Sequence, residues 1–225
     1  MKNHPLGNSR IVNGQKSRAL NRWLQKELSV IGKGLSNSLN DVMEACEKGD
    51  ATRASRLISQ LKILRKRENV SQDTCLRILA QLEGTREDLR WTGRAHKILS
   101  LMEKSSIEIE KIAENVSEID KTKEFPFVRD LPEMGRLACG MLDQSTHTAL
   151  RPKAEDARKI IENDSFLDRS RDAFKEKAEA FRSQHPEATQ SLIPYLHIAK
   201  HLEKIGDHAS HIAEEVIYFL NGKDH

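Results

Sequence analysis

Tyr195-Leu-His-Ile-Ala-Lys-His-Leu-Glu-Lys-Ile-Gly-Asp-His-Ala-Ser-His-Ile-Ala-Glu-Glu-Val-Ile-Tyr218 is the stretch on which the fold turns. Its apolar residues Ile198, Leu202, Ile205, Ala209, Ile212 and Val216, followed by Phe219, are separated by steps of four and three. Those steps mark a helix that packs along its length against other helices. At ~100° per residue, Glu203, Asp207 and His211 form a row pointing away from that seam. The helix therefore buries one side and presents two carboxylates and an imidazole on another.

The same seam occurs 100 positions earlier. Ile98, Met102, Ile109, Ile112, Val116 and Ile119 stand where Ile198, Leu202, Ala209, Ile212, Val216 and Phe219 stand later, and Glu103-Lys104 repeats as Glu203-Lys204. With a shift of 103, Ala51-Thr-Arg-Ala-Ser-Arg-Leu-Ile58 lies over Ala154-Glu-Asp-Ala-Arg-Lys-Ile-Ile161, and Gly32 over Gly135. The chain is thus a tandem repeat, and the expected fold is all-α: six long helices in two three-helix bundles related by a pseudo-twofold axis.

Working outward, residues 1–16 carry Pro, Gly and Asn without periodicity and read as a flexible tail. Residues 17–124 form the first repeat, with helices expected over Ser17–Glu47, Ala51–Leu82 and Arg86–Ile119. Gly49-Asp50 and Gly84-Thr85 separate them as stop and start signals. Phe125-Pro-Phe-Val-Arg-Asp-Leu-Pro132 reads as a linker. Residues 133–222 form the second repeat, with helices over Glu133–Leu150, Lys153–Arg182 and Glu187–Leu220. Pro194 should kink the last helix or delay its start. Gly32, Gly34 and Gly135 cost helix stability and so mark close approach, within the bundle or in a homodimer.

Composition agrees: 37% hydrophobic, 32% charged and only 4% aromatic residues suit long helices with narrow apolar stripes. Basic residues gather between Lys2 and Lys33 and in the run Lys62–Arg67, but no aromatic interleaving or groove-reading motif accompanies them, so nucleic acid is not an expected partner. Three scattered cysteines, Cys46, Cys75 and Cys139, fit a reducing compartment and exclude a disulfide scaffold or a C-x-x-C zinc site. No apolar run of ~20 residues occurs. The expected location is cytoplasmic, with membrane association only through partners.

Ala199-Lys-His-Leu-Glu-Lys-Ile-Gly-Asp-His-Ala-Ser-His-Ile-Ala-Glu-Glu-Val-Ile-Tyr-Phe-Leu-Asn-Gly222 closely resembles the C-terminal signature of the PhoU family. Asp88-Leu89-Arg90, Met134-Gly135, Asp164-x-x-x-Asp168 and Gly49-Asp50 also fall where that family has them, so the likeness covers about residues 20 to 222. It implies two three-helix repeats, each with an E/D-x-x-x-D motif that binds metal on its last helix. It also implies an adaptor that couples a phosphate ABC transporter to a sensor histidine kinase and restrains phosphate uptake and the starvation response. The alternative is a paralogue of the same fold that buffers metal or regulates another transporter.

Residue by residue, the second-repeat motif is intact as Glu203-Lys-Ile-Gly-Asp207, and Asp164 and Asp168 supply a second pair. His208 and His211 could add nitrogen ligands, and the resemblance favours iron or zinc. The first repeat keeps Glu103 as a remnant but has Ile107 in place of the aspartate, with Leu61 and Arg65 opposite Asp164 and Asp168. Any metal should therefore favour the second repeat. From spacing alone, a solvated acidic face with Lys204 as counter-charge explains the same residues. His197, His201, His208 and His211 share one side, as boundary histidines or as a pH-responsive row. No P-loop, G-x-S-x-G, H-E-x-x-H or Glu-x-x-His pair occurs, so no enzymatic activity is expected.

Overall fold

Long apolar rows with step four and three build six helices. The computed structural model describes residues 6–81, 85–120 and 122–222. They comprise α1 (Leu6–Lys48), α2 (Ala51–Gln81), α3 (Arg86–Ser117), a 3-10 turn (Pro126–Asp130), α4 (Leu131–Leu150), α5 (Ala154–Gln184) and α6 (Thr189–Asn221), with a short 3-10 turn at Pro186–Ala188 before α6. Leu24, Leu28, Ile31, Leu35 and Leu39 of α1 are fully buried, as are Ile98, Met102, Ile109 and Ile112 of α3 and their mates Ile198, Leu202, Ala209 and Ile212 of α6. Among the described residues no strand occurs, and no helix is long and apolar enough to cross a membrane.

The helix boundaries follow local chemistry. Gly49 adopts φ 56°, the left-handed conformation that closes α1. Asp50 Oδ1 accepts the Arg53 N–H at 2.9 Å and opens α2. Thr85 and Asp88 form a reciprocal capping box at the start of α3. The expected core position Leu82 and the stop at Gly84 lie outside the described residues.

One boundary differs from expectation. α1 begins at Leu6, not after a tail ending at residue 16; residues 1–5 lie outside the described part. Extending a formed helix adds one hydrogen bond for each residue fixed and needs no apolar stripe, so periodicity does not register such turns. Pro194 lies inside α6, which starts before it at Thr189. The N–H it lacks would have gone to the carbonyl of Gln190, an exposed residue that water can reach.

The connecting segment is more than a tether. Phe125 and Phe127 are buried, and Phe125 meets Phe181 and Tyr195 edge-on at 5.4 and 5.8 Å. Phe127 meets Phe174 at 5.4 Å. Leu131 and Pro132 already belong to α4. The segment is a plug joining the second repeat's core, at about 2–3 kcal/mol for each buried ring.

The repeats meet along two antiparallel pairs, α3 with α6 and α1 with α4. In the first, contacts run in opposite order along the helices: Lys97 to Glu215, His201 to Glu108, His197 to Asn115. In the second, a Cβ on Gly32 would lie 2.3 Å from Thr146 Cγ2, and one on Gly135 would lie 2.8 Å from Met43 Cγ. Gly135 and Thr146 stand 103 positions after Gly32 and Met43, so these two contacts are mates under the pseudo-twofold axis. Both glycines serve packing between the repeats of one chain.

Candidate metal centre

The acidic row of α6 faces α5. Gly206 makes this approach possible, because a Cβ there would lie 2.5 Å from Leu167 Cδ2 and 3.4 Å from Asp164 Oδ1. Asp168, Glu203 and Asp207 each present a carboxylate oxygen, all within 4.8 Å of one another. All three are half-buried. Burial first, and the neighbouring carboxylates next, push Glu203 and Asp207 above the ordinary carboxylate range. Arg171 is the local counter-charge, with Nη2 3.3 Å from Glu203 Oε1.

Of the other sequence candidates, Asp164 lies beside this trio but not within it. Burial, with Asp207 and Asp168 beside it, pushes it up to about 6. Its Oδ1 is buried without a hydrogen-bond partner among the described residues. His211 is exposed, and it opposes the upward push on both Asp164 and Asp207.

His208 is not in the trio. Its Nδ1 lies 3.4 Å from Ser105 Oγ on α3, and burial pushes it down to about 4. His201 Nδ1 lies 2.6 Å from Glu108 Oε2, and His197 Nδ1 lies 3.2 Å from Asn115 Oδ1. Three of the four expected row members therefore fasten α6 to α3, and His208 is corrected from candidate ligand to seam residue. Periodicity gave the angle of each ring on α6 but not which neighbouring helix it would meet.

Residues 131–216 match the family model described as the PhoU domain. The phosphate-specific transport system accessory protein PhoU of Escherichia coli (strain K12) is 23% identical over 213 residues, covering 95% of this chain and 88% of that protein. A PhoU homolog of that description from a Burkholderia species is 25% identical, covering 86% and 84%. The chain is thus similar to PhoU proteins along most of its length, with the PhoU domain matched over its second repeat.

Solved PhoU structures share its fold. That from Pseudomonas aeruginosa superposes with a TM-score of 0.83 at 23% identity, over 91% of this chain and 99% of the other. The phosphate transport system regulatory protein PhoU from Streptococcus pneumoniae gives 0.85 at 21% identity, over 92% and 97%.

Within this chain the first repeat carries a different set at the mated position. Buried pairs Ala54 and Ala157, Leu57 and Ile160, and Cys75 and Ala178 hold the 103-residue register between α2 and α5. In that register Arg65 replaces Asp168 and Glu68 replaces Arg171, so acid and base have exchanged places. Arg65 Nη2 pairs with Glu110 Oε2, Gln72 Nε2 donates to Glu103 Oε2 at 2.8 Å, and Ser106 Oγ donates to Glu68 Oε2 at 3.1 Å. Glu68 is fully buried, and burial pushes it up to about 7. Ile107 offers no oxygen, and Leu61 is buried in the core. Sequence reasoning missed Glu68, although an acid inside the apolar row Leu57, Leu61, Leu64 and Cys75 was a visible signal.

Proposed function

We propose that this chain is an accessory protein of a phosphate-specific transport system that restrains phosphate uptake and starvation signalling. It would work from the cytoplasmic side by contact with the ABC transporter and a sensor histidine kinase, without catalytic turnover. The observation that carries the reading is the match to phosphate-transport accessory proteins along nearly the whole chain. Deleting the gene is expected to leave phosphate-responsive genes expressed in high phosphate. Normal repression in the deletion strain would overturn the reading in favour of a PhoU-fold paralogue that buffers metal or serves another transporter.

A metal ion fits the second repeat. Asp168, Glu203 and Asp207 would be its ligands, with Asp164 and His211 beside that trio but outside it. Three converging carboxylates whose proton affinity is raised by their neighbours gain most from a cation. An oxygen-rich donor set suits a hard cation such as ferric iron better than zinc. The bound cation would offset carboxylate repulsion and clamp α5 to α6. In the first repeat Arg65 already supplies positive charge, so one site per chain is expected.

Replacing Glu203→Ala together with Asp207→Ala should reduce the metal in purified protein to background. Added iron should raise the melting temperature of the wild type and not of the variant. Unchanged metal content in the variant would move the site elsewhere.

A further inference from the structure

A cleft of about 940 Å³ lies at one end of the molecule, where α1 and α3 finish, the connecting segment crosses and α4 begins. Its apolar wall is made by Met43, Ile119, Phe125 and Leu131. Tyr195 of α6 also lines it and is 7% exposed. The Tyr195 hydroxyl makes no hydrogen bond with any described residue. Burial, then Cys46 and Asp120 beside it, hold the phenol above its usual range, so at neutral pH it keeps its proton and can donate to a ligand.

The polar rim is basic on balance, with Lys48, Lys123, Arg129 and Arg136 against Glu47 and Glu124. Lys123 Nζ is taken up by Ser191 Oγ at 2.9 Å, and Lys48 lies 3.8 Å from Glu44. The guanidiniums of Arg129 and Arg136 make no ion pair or hydrogen bond with any described residue.

The opposite end of the molecule is a useful contrast. There Arg90 Nη1 donates to the Gly222 carbonyl at 2.6 Å and Arg94 Nη2 to the Ala149 carbonyl at 2.7 Å. Those guanidiniums serve the carbonyls that end α6 and α4. At the linker end the two arginines have no such employment.

We propose that this cleft binds a small organic anion. Its aromatic or aliphatic body would rest on the Met43, Ile119, Phe125 and Leu131 wall, and its phosphate or carboxylate would lie between Arg129, Arg136 and the Tyr195 hydroxyl. The volume is that of a small-molecule site, and a few polar groups on an apolar wall are what such sites use for orientation. Planar arginine forks match both anionic groups bidentately. The site is separate from the acidic trio and does not depend on a metal there.

Anilinonaphthalene sulfonate, a flat apolar anion, is a direct probe for fluorescence titration of the full chain. One equivalent should bind, and Arg129→Gln with Arg136→Gln should weaken it about tenfold or more. Uncharged phenylnaphthylamine, which has the same body, should bind both proteins alike. Tyr195→Phe should weaken the sulfonate without lowering the melting temperature. Displacement by AMP would identify an aromatic phosphate, and displacement by decanoate an aliphatic carboxylate; either supports the site. Equal sulfonate affinity in the double glutamine variant overturns the proposal. So does displacement by inorganic phosphate at the same concentration as by AMP, because the apolar wall would then contribute nothing.

Discussion

Gly32→Ala is expected to lower the melting temperature by about 4–8 °C, corresponding to about 2 kcal/mol in a chain of this size. In an exposed helix the same change would stabilise by about 1 kcal/mol. Here the new methyl would meet Thr146 at Cγ2, Oγ1 and Cβ, at 2.3, 2.4 and 2.9 Å. Thr146 is short, β-branched and buried, and its hydroxyl is held by the Leu142 carbonyl at 3.0 Å, so it has nowhere to turn. Thr146→Ala in the same chain should restore much of the loss, giving a favourable coupling in a double-mutant cycle. The mated change Gly135→Ala should cost less, because the atoms in its way are Cγ, Cε and Sδ of Met43, a chain with several rotatable bonds. Melting curves of the four proteins check this. A Gly32→Ala protein as stable as the wild type would show that α1 and α4 do not pack as described.

Glu68→Gln should stabilise the protein at pH 8 by on the order of 3 kcal/mol and have little effect near pH 4. In the fold the Glu68 carboxyl holds its proton up to about 7, against 4.5 when unfolded. Below the unfolded value both states are protonated and the group is neutral in the balance. As pH rises through the interval the folded state holds more protons than the unfolded, so stability is lost, and above about 7 the cost is complete. Glutamine fills nearly the same volume, can still accept from Ser106 Oγ, and carries no charge to desolvate. Glu103 repels the charged form and Arg65 attracts it, but neither outweighs burial. Urea unfolding of both proteins from pH 4 to pH 8 gives the difference directly. A difference that does not change with pH would refute the assignment.

The helices were legible because each buries a continuous apolar row, and the two copies of the α3 and α6 seam check one another. The stretch from Phe125 to Pro132 reads as a linker because its two prolines break the helical pattern, yet Phe125 and Phe127 complete the second core. The trio Asp168, Glu203 and Asp207 was within reach because acids at spacing four lie on one helix face, and the family resemblance named the second helix that supplies Asp168. Which neighbour His208 would meet was not legible, since that depends on how α6 is rotated against α3. Glu68 is not legible from acids matched between the repeats, because it stands opposite a base, Arg171.

The glycine-to-neighbour contacts between α1 and α4 have a consequence beyond packing. Each half presents both the notch and the residue that fills it, so either half is complementary in shape to a copy of itself. The chain is in effect a symmetric dimer written as one sequence. In a true dimer every substitution appears twice, and a change of Asp207 would strike both sites together. Joining the halves through Phe125-Pro-Phe127 removes that constraint. One copy can exchange its acid for Arg65 and its aspartate for Ile107 while the other keeps Asp168, Glu203 and Asp207 intact, and the molecule acquires two chemically different faces without giving up the shared frame.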